Sequence, residues 1–225
     1  MRLLLIASAI PLLESRRVLC LHGSGGSASA FLARGLAPLR EAASASYKDW
    51  RPIAWELDAI DSPGGQGSWW RYAKGERSFT ATSYEGADES IAAVEAELAA
   101  GEYTGLLGFS QGAMLAAIVA ARSSLGENDL PTLKFAVMCG GAMPKPYEQL
   151  LARLQEAPDT AGPILPTLHC LSAEDAINPP ALGEELANCF PNAEVLWHGA
   201  GHQMPPKPRL KEVAAFMDKL GPDLR

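Results

Sequence analysis

Basic residues are few and scattered in this chain: 19 Lys and Arg stand against 26 Asp and Glu, a formal net charge of −7. No cluster of them makes the concentrated basic surface that neutralising a phosphate backbone requires, which argues against a nucleic-acid partner. Metal-ligand spacing is also missing among the four cysteines. Cys20, Cys139 and Cys170 each lie in an apolar run, where Cys acts as a small buried hydrophobe, so neither a metal nor a disulfide framework is expected. There are no internal repeats or low-complexity tracts, and no apolar run is long enough to span a bilayer as a helix. The stretch from Leu3 to Leu13, behind Arg2, is shaped like a secretory h-region. Two readings of residues 1–16 follow: a targeting segment of a secreted or organellar protein, or an extension appended to a cytoplasmic one. The folded domain is expected over residues 17–225, and a cytoplasmic location is the working expectation.

What is present is ordinary for one folded domain: 225 residues, 48% hydrophobic and 20% charged. Strand-like runs at Val18–His22, Pro52–Leu57, Thr104–Phe109, Phe135–Cys139, Thr167–Leu171 and Glu194–His198 are mostly continuously apolar, as strands covered on both faces must be. Helical patterns fall between them at Ser90–Ala100, Gln111–Arg122, Pro180–Cys189 and Arg209–Leu220. The alternation predicts an α/β fold, a mostly parallel, doubly wound sheet of about six strands. The least regular stretch, residues 59–87, is rich in Gly and Ser but carries Trp69, Trp70, Tyr72, Phe79 and Tyr84. A loop of that length in a compact domain is usually functional.

Two motifs carry chemistry. "VLCLHGSGGSAS" at 18–29 fits G-x-G-x-x-A, the loop that brings a dinucleotide pyrophosphate to a helix N-terminus. It also fits an HG turn that aims backbone N–H groups at an oxyanion. The second motif decides between them. Gly108-Phe109-Ser110-Gln111-Gly112 is G-x-S-x-G between a strand and a helix former, the setting of a nucleophile elbow. A serine hydroxyl needs an adjacent base. Of the four histidines, His22 shapes a turn, His169 lies inside a strand and His198 ends one. His202 lies on a loop beyond a strand's carboxyl end, where such folds build their sites. The imidazole in turn needs a carboxylate, and Asp175 stands after the strand ending near Leu171, with Glu174 the neighbouring alternative. The order Ser110, Asp175, His202 is that of α/β-hydrolases. The backbone N–H groups of Gln111 and Ser24 are then the expected oxyanion donors. The dinucleotide reading also lacks its acidic residue at the expected offset, because the next strand end comes only at Asp58.

These segments together, with "SWW" at 68–70, "GFSQGAMLAA" at 108–117, "LSAEDAINPP" at 172–180 and "HGAGHQMP" at 198–205, resemble the FSH-type serine hydrolases, a family of small α/β-hydrolases. The resemblance runs from Val18 to Leu220. It implies Ser110 as nucleophile, Asp175 as carboxylate and His202 as base, in a single domain without a separate cap, metal or cofactor. Residues 1–16 precede the point where that family begins, and Glu56–Ser68 is less hydrophobic than its pattern. The partner expected is a small acyl ester or thioester, with Trp69, Trp70 and Met143 as candidate pocket walls. Two other readings stand beside it: a lysophospholipase or acyl-protein-thioesterase-like enzyme, and a non-catalytic scaffold that binds a small molecule. Oligomeric state has no signature in the sequence.

Overall fold

The computed structural model describes residues 16–221 apart from 45–46, 49–50, 53–54, 131 and 157–163. Both readings of the N-terminal segment therefore concern residues that, Arg16 excepted, lie outside the described ones.

Strands β1 (Arg16–Leu21), β2 (Trp55–Ala59), β3 (Gly105–Phe109), β4 (Phe135–Cys139), β5 (Thr167–Ser172) and β6 (Ala193–His198) form one parallel sheet in the order β2-β1-β3-β4-β5-β6. Within the expected strand over Pro52–Leu57, residues 53 and 54 lie outside the described ones, and two strands are described on either side of them. Arg51–Pro52 pairs antiparallel with Tyr47–Lys48 in a separate ribbon, and the main-sheet strand starts at Trp55. Proline has no N–H for a ladder, so it belongs at such an edge. Arg16, expected to precede the domain, is the first residue of β1 and is fully buried, its guanidinium 5.3 Å from the centre of the Trp55 ring.

Side chains alternate across each strand. In β1, Val18 and Cys20 pack with α1 (Ala37–Ser44) and α6 (Lys207–Leu220), while Leu19 and Leu21 face the opposite layer. That layer holds α2 (Ala87–Gly101), α3 (Gln111–Ser124), α4 (Glu148–Glu156) and α5 (Pro180–Asn188). Helix α3 is buried along nearly its whole length, as a helix apolar all round must be. Its run of Ala lets it lie close on the sheet. Helix α4 is an element that the sequence pattern did not single out; it buries Leu151 and Leu154, three positions apart.

The sheet order sets where a site can form. After β1 the chain runs outward to β2, then crosses back to β3 on the other side of β1. The loops leaving the carboxyl ends of β1 and β3 thus diverge and leave a crevice, the usual ligand position in doubly wound sheets.

His169 of β5 is part of the core and takes no part in that crevice. Its Nε2 lies 3.2 Å from Thr167 Oγ1 and its ring packs 5.5 Å from that of Phe190. Burial pushes its pKa down to about 3. The unfolded chain takes up this proton near pH 6.5, whereas the folded chain does not, so stability is full above about pH 6.5 and falls as pH drops toward 3. The loss from this group is about 2 kcal/mol at pH 5. Urea unfolding near neutral pH and near pH 5 should show it. His169→Phe, which keeps a ring against Phe190, should flatten the difference, and an unchanged slope would rule out a buried neutral imidazole.

Candidate active site

The loop between β3 and α3 is a sharp turn. Ser110 has φ 56° and ψ −118°, a conformation that costs an L-residue of the order of 1–3 kcal/mol. The surroundings enforce it: Ser110 N–H donates to Cys139 O at 2.9 Å, and Ala113 and Met114 N–H groups reach Ser110 O at 3.0 and 3.2 Å. The motif's two glycines permit the packing behind it. A Cβ at 108 would sit 2.1 Å from Gly112 O, and one at 112 would sit 2.3 Å from Leu21 O. No side chain fits where β1, β3 and α3 press together.

His202 reaches this turn from the loop after β6. Its Nε2 lies 2.8 Å from Ser110 Oγ and its Nδ1 2.8 Å from Asp175 Oδ2. Asp175 is buried, and its second oxygen, Oδ1, accepts the N–H groups of Ile177 at 2.9 Å and Asn178 at 2.8 Å. Glu174 points its side chain to solvent. Its backbone N–H donates to Ser172 Oγ at 3.2 Å, and the same hydroxyl accepts Gly201 N–H at 3.0 Å. One serine therefore fastens the carboxylate loop to the imidazole loop. Asn178 adds a second tie, donating from Nδ2 to Gly140 O at 2.7 Å and accepting Ser78 Oγ–H at 3.1 Å. Neither residue has a sequence signature: a serine ending an apolar strand and an asparagine in a loop are both common.

The remaining histidines lie apart from this chain of hydrogen bonds. His22 is buried in the turn after β1 and its Nδ1 lies 2.8 Å from Gly23 O. His198 is buried at the end of β6 and holds Ala200 N–H on Nδ1 at 3.2 Å. Burial moves His198 below the ordinary imidazole range, although the Asp175 charge pulls the other way.

The glycine turn after β1 leans on the loop that follows β2. Gly25 N–H donates to Gly67 O at 2.7 Å, and the Ser24 and Ser68 hydroxyls are 2.8 Å apart. The helical turn at Ala28–Ala30 is capped internally: Ser27 Oγ accepts Ala30 N–H and Asp61 accepts Ala28 N–H at 2.7 Å. Asp61 and Ser27 thus already hold two of the backbone donors that a pyrophosphate on this turn would use.

Ser24, Ser110 and Gln111 line one depression of about 220 Å³. Tyr72, Met114 and Ile177 give it apolar walls, and Glu76, Arg77, Ser78 and Asn178 give it polar ones. Trp69, Trp70 and Met143, expected as pocket walls, are not among its lining; each is at most 2% exposed. Trp69 faces inward because its indole N–H is satisfied there, by His22 O at 2.8 Å, and its backbone N–H by Gln111 Oε1 at 2.9 Å. Trp70 stacks on Tyr84, with ring centres 4.7 Å apart. Met143 packs in the layer of α2 to α5. These tryptophans brace the turn after β1 and the start of α3 from behind.

Among the described residues no group of His, Cys, Asp and Glu is arranged to hold a metal, and no helix is long and apolar enough to cross a membrane.

Comparison with known proteins places this geometry in context. A family model described as "Serine hydrolase (FSH1)" matches residues 12–214. The chain is 33% identical to Esterase CG5412 of Drosophila melanogaster over 222 residues, covering 92% of this chain and 75% of that protein. It is 34% identical to human Esterase OVCA2 over 139 residues, 60% of this chain and 58% of that one. Among solved structures, Zea mays acyl-protein thioesterase 2 aligns with a TM-score of 0.66 at 20% identity, covering 92% of this chain and 94% of the other. Esterase PE8 aligns at 0.64 and 21%, covering 92% and 93%. At that identity the two structures speak for a shared fold.

Proposed function

The chain belongs to the FSH1 serine hydrolase family, and from that premise we propose that it hydrolyses carboxylic esters or thioesters through an acyl-enzyme formed on Ser110. The observation that carries this reading is the unbroken hydrogen-bonded chain from Ser110 Oγ through His202 to buried Asp175, set on a strained elbow that lines a depression. Several relatives of the chain are named esterases, which fits the same chemistry.

In the first step Ser110 Oγ attacks the acyl carbonyl carbon while its proton passes to His202 Nε2. The carbonyl π electrons move onto oxygen. The Ser24 and Gln111 N–H groups receive that oxyanion; Gln111 opens α3, so its N–H is among those with no carbonyl in the preceding turn. Collapse of the tetrahedral species breaks the bond to the alcohol or thiol, which leaves with the proton from Nε2. Water then repeats the sequence through the same base and frees the acid. Asp175 keeps the proton on Nδ1, so that Nε2 presents its lone pair to the serine, and offsets the positive charge that the ring acquires.

Labelling with a fluorophosphonate and mapping of the modified peptide tests this directly. Stoichiometric modification of Ser110 in the folded protein is the expected result. Failure to label well-folded protein, or labelling at another residue, would overturn the assignment and favour a scaffold that binds without catalysis.

A further inference from the structure

The two N–H groups proposed for the oxyanion come from segments that share no secondary structure. Ser24 lies in the turn after β1, and Gln111 opens α3. None of the described hydrogen bonds takes up either N–H. A third segment, residues 67–70, ties the one to the other. On one side it grips the turn. Gly67 O accepts Gly25 N–H at 2.7 Å, Ser68 Oγ lies 2.8 Å from Ser24 Oγ, and the Trp69 indole N–H donates to His22 O at 2.8 Å. On the other side it grips Gln111. Trp69 N–H donates to Oε1 at 2.9 Å, and Nε2 donates to Trp70 O at 3.0 Å.

Trp69 is common to both sides. Its ring also stacks on the His22 imidazole, with centres 4.9 Å apart and planes inclined by 28°, and its carbonyl accepts the Ser90 hydroxyl of α2. His22 Nδ1 lies 2.8 Å from Gly23 O; a carbonyl only accepts, so this nitrogen carries the ring's proton. Gly26 N–H reaches the same carbonyl at 3.0 Å. Two consecutive peptide units are therefore held by their oxygens, His22–Gly23 by the indole and Gly23–Ser24 by the imidazole and Gly26. In a trans peptide the N–H points opposite to the C=O, and no described peptide is cis. Fixing Gly23 O thus fixes the direction of Ser24 N–H. The turn lies against the nucleophile: a Cβ at Gly23 would stand 3.1 Å from Ser110 Cβ.

We infer that Trp69 is a positioning residue of the oxyanion site: it sets the spacing of the Ser24 and Gln111 N–H groups and acts on the reaction only through them. The inference rests on the hydrolase reading above. Trp69 itself is 1% exposed and does not line the depression, so it makes no contact with substrate there. Donors stabilise a developing charge only when they are already held where the oxygen arrives, and small displacements forfeit much of the effect. Two donors on separate segments need something rigid between them. An indole supplies it with one ring: its face packs on His22 while its N–H holds the His22 carbonyl.

The test pairs Trp69→Phe, which keeps a ring against His22 but removes the indole N–H, with Gln111→Met, which keeps the backbone N–H but removes both side-chain hydrogen bonds. Trp70→Phe is the control, because Trp70 stacks on Tyr84 and its indole N–H has no described partner. On p-nitrophenyl butanoate, Trp69→Phe and Gln111→Met should each lower kcat by about tenfold or more, with KM within about threefold of the wild type. Ki for a trifluoromethyl ketone of matched length, whose adduct with serine carries an oxyanion, should rise by a similar factor. Trp70→Phe should leave all three within about twofold. KM and Ki do not depend on the fraction of protein that is folded, so a purely structural role would lower the maximal rate and leave Ki unmoved. Ki at the wild-type value in Trp69→Phe, or an equal rise in Trp70→Phe, would overturn the assignment. Should Trp69→Phe not fold, Gln111→Met decides by the same criterion. Absence of both turnover and fluorophosphonate labelling in the wild type would instead overturn the hydrolase reading on which it stands.

Discussion

Replacing Ser110 with Ala is expected to lower kcat for ester hydrolysis by about 10⁴- to 10⁶-fold while leaving the fold intact. The size of the effect follows from the proposed pathway: in it, without Oγ there is no acyl-enzyme, and what remains is whatever a positioned water and the proposed oxyanion donors can achieve. The fold should survive because the strained backbone at position 110 is enforced from outside, by the Cys139 carbonyl and by the N–H groups of Ala113 and Met114. Alanine can adopt what the surroundings impose on serine there. Only the 2.8 Å contact with His202 Nε2 is lost, a change of about 1 kcal/mol. Progress curves on a p-nitrophenyl ester, with urea unfolding of the same preparation, measure both. A folded variant with activity near that of the wild type would place the attack elsewhere.

Exchange of the carboxylate should be nearly as damaging, and for a reason specific to this site. Asp175 Oδ1 accepts two backbone N–H groups, from Ile177 and Asn178, so an amide at this position must put its carbonyl oxygen there. Its NH₂ then occupies the place of Oδ2, 2.8 Å from His202 Nδ1, and donates where the carboxylate accepted. The imidazole is driven to the tautomer that carries its proton on Nε2, and it can no longer accept one from Ser110. Asp175→Asn is therefore expected to reduce kcat by about 10⁴-fold. Glu174→Gln, on an exposed side chain, should change it by no more than about twofold. Assaying the two variants side by side across pH separates the residues; equal losses, or the reverse ranking, would exclude this arrangement.

Features set by contacts a few residues apart were legible in the chain. Continuous apolar runs marked strands covered on both faces, and the periodicity of Ile91, Val94 and Leu98 marked the buried stripe of α2. Gly108 and Gly112 announced a close approach because only glycine leaves room where a Cβ would meet a carbonyl oxygen. Ser110, Asp175 and His202 stood out because each follows an apolar strand in the order expected of one hydrolase architecture.

The choice of Asp175 over Glu174 as partner of His202 turns on a single residue of register. It depends on how the Ser172 hydroxyl anchors the N–H groups of Glu174 and Gly201, 27 positions apart in sequence. The walls of the depression are likewise matters of long-range packing. Trp69 and Trp70 look like ligand-facing aromatics on a Gly-rich loop, yet both turn inward, since the interior offers the Trp69 indole a carbonyl at His22 and offers Trp70 a ring at Tyr84. Tyr72, Glu76 and Ile177 carry no pattern of their own and line the depression only because tertiary hydrogen bonds hold their loops there. The sequence by itself determined the order of elements, the tight elbow and the residue types that could do chemistry, since steric and periodic constraints act locally along the chain. Which side chains meet across the crevice was decided by tertiary structure, because a loop's facing depends on partners far away in sequence.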